Sequence, residues 1–163
     1  KDIDHDELDG MDECIVPSDF KTKGVISDDL LNIILLQFNP NTKIFLVFDC
    51  CHSGTICDLK YKYDKNNSYI SSYKRQPFSP IITLSGCKDI QTSADAYNVL
   101  NQRQFSGALT SCFIHTLEQY KKPISLLKIL VILHNDLESK KFTQKPQLCS
   151  NLNRDELFDL PVF

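Results

Sequence analysis

Residues 43–48, KIFLVF, form a near-continuous run of branched and aromatic side chains. A strand with one wet face alternates apolar and polar residues. A run without that alternation is buried on both faces, as in a parallel sheet covered by helices. Ile81-Ile82-Thr83-Leu84 is a second run of this kind, closed by Ser85-Gly86. Ser27-Asp28-Asp29 opens the apolar stretch LLNIILLQF. Serine is a good N-cap, first-turn acids suit the helix dipole, and Asn39-Pro40-Asn41 stops the helix. Phe105, Ala108, Leu109, Cys112, Phe113, Leu117 and Tyr120 recur at helical spacing and predict an amphipathic helix over 105–120, broken by Lys121-Lys122-Pro123. A strongly apolar helix follows over 124–138, and a last short strand over 147–149. The order helix, strand, loop, strand, helix, helix, strand predicts an α/β layered fold with a mainly parallel sheet flanked by helices. No internal repeat is visible.

Two stretches lack such periodicity. Residues 1–24 read as a polar, acidic loop region. Residues 60–79 read as a long exposed loop or insert, rich in Tyr, Lys and Ser, without a core role.

The 163 residues suffice for one domain with a real core. The net charge of −3 is unevenly spread: residues 1–29 carry ten acids against Lys1, Lys21 and Lys23. An acidic front end repels phosphates, which excludes a nucleic-acid binder, and it suits a hard cation or a basic substrate. The seven cysteines are odd in number and three crowd one stretch, which is not a disulfide framework and points to a reducing, cytoplasmic setting. No apolar run reaches membrane-spanning length, so no membrane partner is expected. The chain starts at Lys1 without Met, so the natural N-terminus is expected upstream.

The first apolar run leads into VFDCCHSG, residues 47–54. Active groups in α/β folds sit at the carboxyl ends of strands. If Asp49 and Cys51 share a face, Cys50 points the other way, toward packing. Cys51 is then the exposed thiol and the candidate nucleophile. An anion beside a thiolate raises its pKa, so Asp49 is a poor activator and makes more sense as the floor of a pocket for a cationic side chain. His52 is a weak candidate base, since adjacent residues usually point apart. A metal site from Cys50, Cys51, His52 and Cys57 lacks the usual C-x-x-C spacing. A buried cysteine with no chemistry is the bland alternative.

Asp49-Cys50-Cys51-His52-Ser53-Gly54 resembles the D-[CS]-C-H-S-G nucleophile motif of the metacaspases, caspase-like cysteine peptidases. Further blocks resemble the family in order: DGMDE over 9–13 with IVPSD over 15–19, ISDD over 26–29, SGCKD over 85–89 with QTSADA over 91–96, GALT over 107–110, and TQKPQL over 143–148. The resemblance implies a caspase-like peptidase domain over 1–163, with 60–79 between larger and smaller subunit-like parts. It implies a cysteine endopeptidase cleaving peptides and proteins after Arg or Lys, so with a basic P1 residue, and positions for its machinery follow residue by residue. Cys51 is the nucleophile and Asp49 lines the P1 pocket. Asp12, Asp28, Asp29 and Asp58 match an activating calcium site. The family's catalytic histidine, in an HYSGHG motif, falls upstream of Lys1, so this stretch alone is expected to be inactive. None of His5, His52, His115 and His134 matches that motif. The basic residues of 60–75 are candidates for self-cleavage, and the family implies a monomer. The alternative is a non-catalytic caspase-like binding or regulatory module. A thiol-rich metal or redox protein is a third, weaker reading.

Overall fold

The two apolar runs lie side by side. In the computed structural model, which describes residues 13–50, 53–66, 68–70, 76–86, 95–97, 105–120 and 122–158, they form strands β3 (Ile44–Phe48) and β6 (Ile81–Ser85). They pair in parallel, with Ile44 opposite Ile81 and Phe48 opposite Ser85. Ahead of them come β1 (Cys14–Ile15), α1 (Phe20–Lys23), β2 (Ile26–Ser27) and α2 (Asp28–Leu35). Between them lie β4 (Tyr61–Tyr63) and β5 (Ser68–Ile70). After them come β7 (Asp95–Tyr97), β8 (Phe105–Gly107), α3 (Ala108–Gln119), α4 (Leu126–Ser139), β9 (Gln147–Ser150) and α5 (Arg154–Phe158).

The main sheet has the order β3-β6-β9-β4-β5. All five residues of β6 are buried, as the absence of alternation predicts. The pleat sends Ile82 and Leu84 of β6, Leu148 of β9 and Tyr63 of β4 to one face, where they meet Leu109, Cys112 and Phe113 of α3 and Ile129, Leu130 and Leu133 of α4. Phe45 of β3 joins that face, its ring centroid 5.8 Å from that of Phe113. Ile81 and Cys149 point to the other face, with Ile44, Leu46 and Phe48. There they meet Leu35 of α2 and Ile56, Cys57 and Leu59 of the segment after β3. The layered α/β architecture is therefore present, with one helical layer on each face. The sheet is parallel only between β3 and β6; β9 runs antiparallel to both β6 and β4, and β5 antiparallel to β4.

Helix α2 begins where its signals place it. The Ser27 hydroxyl accepts from the Leu30 N–H at 3.3 Å, and Asp28 and Asp29 occupy the first turn. The Asn32 amide then donates to the Cys57 carbonyl at 3.1 Å, tying α2 to the segment after β3.

Three stretches differ from the sequence reading; the first, read as loop over 1–24, holds β1 and α1. Residues 60–79, expected as an exposed loop, include the β4–β5 hairpin. Tyr63 is only 2 % exposed, and its hydroxyl donates to the Leu152 carbonyl. Three residues are too few for a period-2 signal to stand out, and tyrosine reads as polar although its ring packs as a large apolar body. The helix expected over 105–120 starts at Ala108, because Phe105–Gly107 pairs with Asp95–Tyr97 as a strand. The apolar spacing of Phe105 fits both assignments.

Leu84 is 1 % exposed at the centre of the α3–α4 face, whereas Phe78 is 83 % exposed. Leu84→Ala in the intact natural protein is expected to cost about 2–5 kcal/mol in urea unfolding, and Phe78→Ala less than about 0.5 kcal/mol. Equal costs would contradict this packing.

Candidate active site

β3 and β6 end together: the Gly86 N–H donates to the Phe48 carbonyl at 2.8 Å, one step beyond the last register pair. Asp49 is the next residue. By strand parity it falls on the side of Phe45, the α3 side. Its Oδ2 accepts from the Thr110 N–H at 2.8 Å. Thr110 is the third residue of α3, whose N-cap, Gly107, offers no side-chain cap. A carboxylate from another element thus takes the acceptor role that an N-cap side chain usually fills, at the positive end of the helix dipole. Asp49 Oδ1 is buried and has no hydrogen-bond partner among the described residues.

The loop after Asp49 is braced from three sides. The Ser53 hydroxyl donates to the Cys50 carbonyl at 2.9 Å. The Ser85 hydroxyl, at the end of β6, donates to the Ser53 carbonyl at 2.6 Å. The Cys149 thiol donates to the Gly54 carbonyl at 3.0 Å. Ser53 and Ser85 are fully buried. Cys51 and His52 lie outside the described residues. Cys50, expected to point into packing, is exposed. β3 ends at Phe48, so Cys50 lies past the strand and the pleat no longer sets its direction.

Of the four aspartates matched to calcium, Asp12 lies outside the described residues. Asp28 is 3 % exposed; its Oδ2 accepts from the Glu13 N–H at 2.6 Å and its Oδ1 from the Asp29 N–H at 2.8 Å. Asp29 is half-buried. Asp58 is 6 % exposed and adopts φ +49, a left-handed conformation that aspartate tolerates better than most residues. Its turn is closed by its own N–H on the Thr55 carbonyl, and its carbonyl accepts from the Gln76 amide. Burial raises the pKa of the Cys57 thiol, and the nearby Cys149, Asp58 and Asp28 raise it further. Asp28 and Asp58 thus share one neighbourhood, and their oxygens are of the hard type calcium prefers. Among the described residues no group of three or more His, Cys, Asp or Glu is placed to hold a metal ion.

A cleft of about 550 Å³ lies beside the turn after β4, lined by Asp64, Lys65, His134, Glu138, Phe142 and Gln144 among others. It is three strand positions from β3 and includes none of the residues around Asp49. His134, read as structural, is half-buried at its wall. His115 is half-buried on α3, 2.8 Å from the Gln119 amide.

Sequence reasoning missed the two partners that fix the site: the α3 N-terminus for Asp49 and Ser85 for the loop. A glycine directly before a helical run, Gly107 before ALT, is the signal that marks a helix start there.

Comparison with known proteins is consistent across the chain. The family description "Metacaspase, peptidase C14 domain" matches residues 1–60. Metacaspase-1B of Aspergillus niger is 33% identical over 92% of this chain and 44% of its own length. Metacaspase-3 of Trypanosoma cruzi is 32% identical over 92% of this chain and 46% of its own. Metacaspase-1 of Arabidopsis thaliana is 36% identical over 70% of this chain and 34% of its own. The chain spans about half the length, or less, of these curated relatives.

The buried Cys57 thiol carries a pH prediction. Its folded pKa lies above the ordinary 9.0, so the unfolded chain gives up this proton first as pH rises. Its contribution to stability is complete below pH 9.0 and is lost as pH climbs toward the folded value. Urea unfolding of the intact protein is expected to show stability falling above that pH, with a shallower fall in Cys57→Ala. An unchanged slope in the variant would count against the burial of this thiol.

Proposed function

The chain belongs to the metacaspase family, and from that premise we propose that it forms part of a cysteine endopeptidase that cleaves protein substrates after Arg or Lys, with Cys51 as nucleophile. The observation that carries this reading is the Asp49 carboxylate, two residues from Cys51. One of its oxygens is tied to the Thr110 N–H, and the other is buried without a hydrogen-bond partner among the described residues. A fixed carboxylate with a spare oxygen, partly removed from water, attracts a guanidinium or ammonium group more strongly than a solvated one. It would repel an acidic side chain at the same place.

In the mechanism, the family's histidine, upstream of Lys1 by resemblance, accepts the Cys51 thiol proton. The thiolate attacks the scissile carbonyl carbon, and the Cys51 N–H helps to hold the resulting oxyanion. The C–N bond then breaks. The leaving amine takes the proton from the imidazolium, and an acyl-thioester remains on Sγ. Water, deprotonated by the same imidazole, hydrolyses that ester and regenerates the thiol. The Ser53 and Ser85 hydrogen bonds fix the neighbours Cys50 and Ser53, which supports a nucleophile at this place in the chain.

Calcium activation is the second part of the reading. It rests on the match of Asp12, Asp28, Asp29 and Asp58 to the family and on the hard-oxygen chemistry of carboxylates. No catalytic step is assigned to the ion.

The test uses the intact natural protein with fluorogenic peptides ending in Arg, Lys or Asp, with and without millimolar calcium. Cleavage after Arg and Lys but not Asp is expected, together with dependence on calcium and a loss of about 10⁴-fold or more in Cys51→Ala. A folded protein that binds calcium and cleaves none of the peptides would instead make this a non-catalytic binding module.

A further inference from the structure

The conformation of Gly107 does not by itself call for glycine. Its φ of −61 and ψ of 133 lie in the extended region open to any residue. Glycine is also a weaker N-cap than Ser, Asn or Asp. The demand comes from space. A Cβ on Gly107 would land on the Asp49 carboxylate, overlapping Oδ2 and Cγ, with Oδ1 only 3.1 Å away. The same Oδ2 accepts the Thr110 N–H, three residues further on. The missing side chain and the missing cap are thus one feature: Gly107 leaves the space that Asp49 fills, and Asp49 supplies the acceptor that Gly107 lacks.

We propose that Gly107 and the Thr110 N–H are specificity-determining positioning elements, holding the Asp49 carboxylate in the one placement from which Oδ1 can receive a basic substrate side chain. The inference rests on the reading of Asp49 as the recognition group for Arg and Lys. Any side chain at 107 displaces the carboxylate from the helix end. Recognition of the cation suffers, while the Ser53 and Ser85 hydrogen bonds at Cys50 and Ser53 are left in place.

The test is a double-mutant cycle on Gly107→Ala and Asp49→Ala in the intact natural protein. Three quantities are read: kcat and KM for peptides ending in Arg and in Leu, the melting temperature, and the alkylation rate of Cys51 by iodoacetamide. Gly107→Ala is expected to raise KM for the Arg peptide and lower kcat/KM about 10–100-fold, the range of a lost charge-assisted contact. The Leu peptide and Cys51 alkylation should be little changed. In the Asp49→Ala background, where the space is vacant, adding Gly107→Ala should lower neither kcat/KM nor the melting temperature further.

Effects that multiply, or an Arg preference retained in Gly107→Ala, would overturn the inference and leave the basic-pocket reading standing. An Arg preference retained in Asp49→Ala would overturn both. The melting temperatures then report separately whether residues 107 and 49 touch. If Gly107→Ala does not fold, Thr110→Pro, read against Thr110→Ala as the control that keeps the N–H, removes the donor in the first turn of α3. It should raise KM for Arg, and an unchanged KM would overturn the inference.

Discussion

The parallel pairing of β3 with β6 is the contact on which the other features depend. β6 has no exposed residue, so its two faces fix both helical layers at once. Pairing Phe48 with Ser85 brings the ends of the two strands level. Everything chemical follows from that shared end. Asp49 leaves β3 on the α3 side, and Ser85 leaves β6 within reach of the Ser53 carbonyl. A slip of one residue would turn Asp49 toward the opposite face and away from α3, because side chains alternate along a strand.

The site divides labour between its two neighbours. The Ser53 hydroxyl holds the Cys50 carbonyl, and the Ser85 hydroxyl of β6 holds the Ser53 carbonyl. The helix-side N–H of Thr110 holds Asp49. In the proposed function, the first set serves the nucleophile and the second the basic side chain. Each can be perturbed separately, which is what makes a KM effect distinguishable from a loss of nucleophile. The buried thiols of Cys57 and Cys112 belong to the cores and are kept protonated by burial. Thiol reactivity in this fold is therefore a matter of position rather than of cysteine number.

Much of this was legible in the residues. The unalternating runs at 43–48 and 81–84 both mark sheet strands, but the burial on both faces expected of them holds only for β6; β3 is half-buried, with Val47 exposed. The signals at Ser27, Asp28 and Asp29 mark the start of α2 because capping is local chemistry. The helix over 126–139 and the strand over 147–150 follow from apolar spacing and length. What was not legible depends on contacts distant in sequence. Tyr63 reads as polar until Leu148 and Leu152 lie against it. The bond from Thr110 to Asp49 spans 61 residues and has no local signature. The alternation expected to turn Cys50 into packing failed there, because the strand has ended at Phe48 and Cys50 is exposed.

The central claim is that the turn after β3 presents one thiol beside a carboxylate that selects a basic side chain. The most direct measurement is labelling of the intact natural protein, with calcium present, by matched peptidyl chloromethyl ketones ending in Arg or Asp, followed by mass mapping of the cysteines, the seven of this chain among them. One equivalent on Cys51 from the Arg reagent and none from the Asp reagent is the predicted result. Labelling of exposed Cys14 or Cys50 by both reagents alike, with Cys51 untouched, would contradict it.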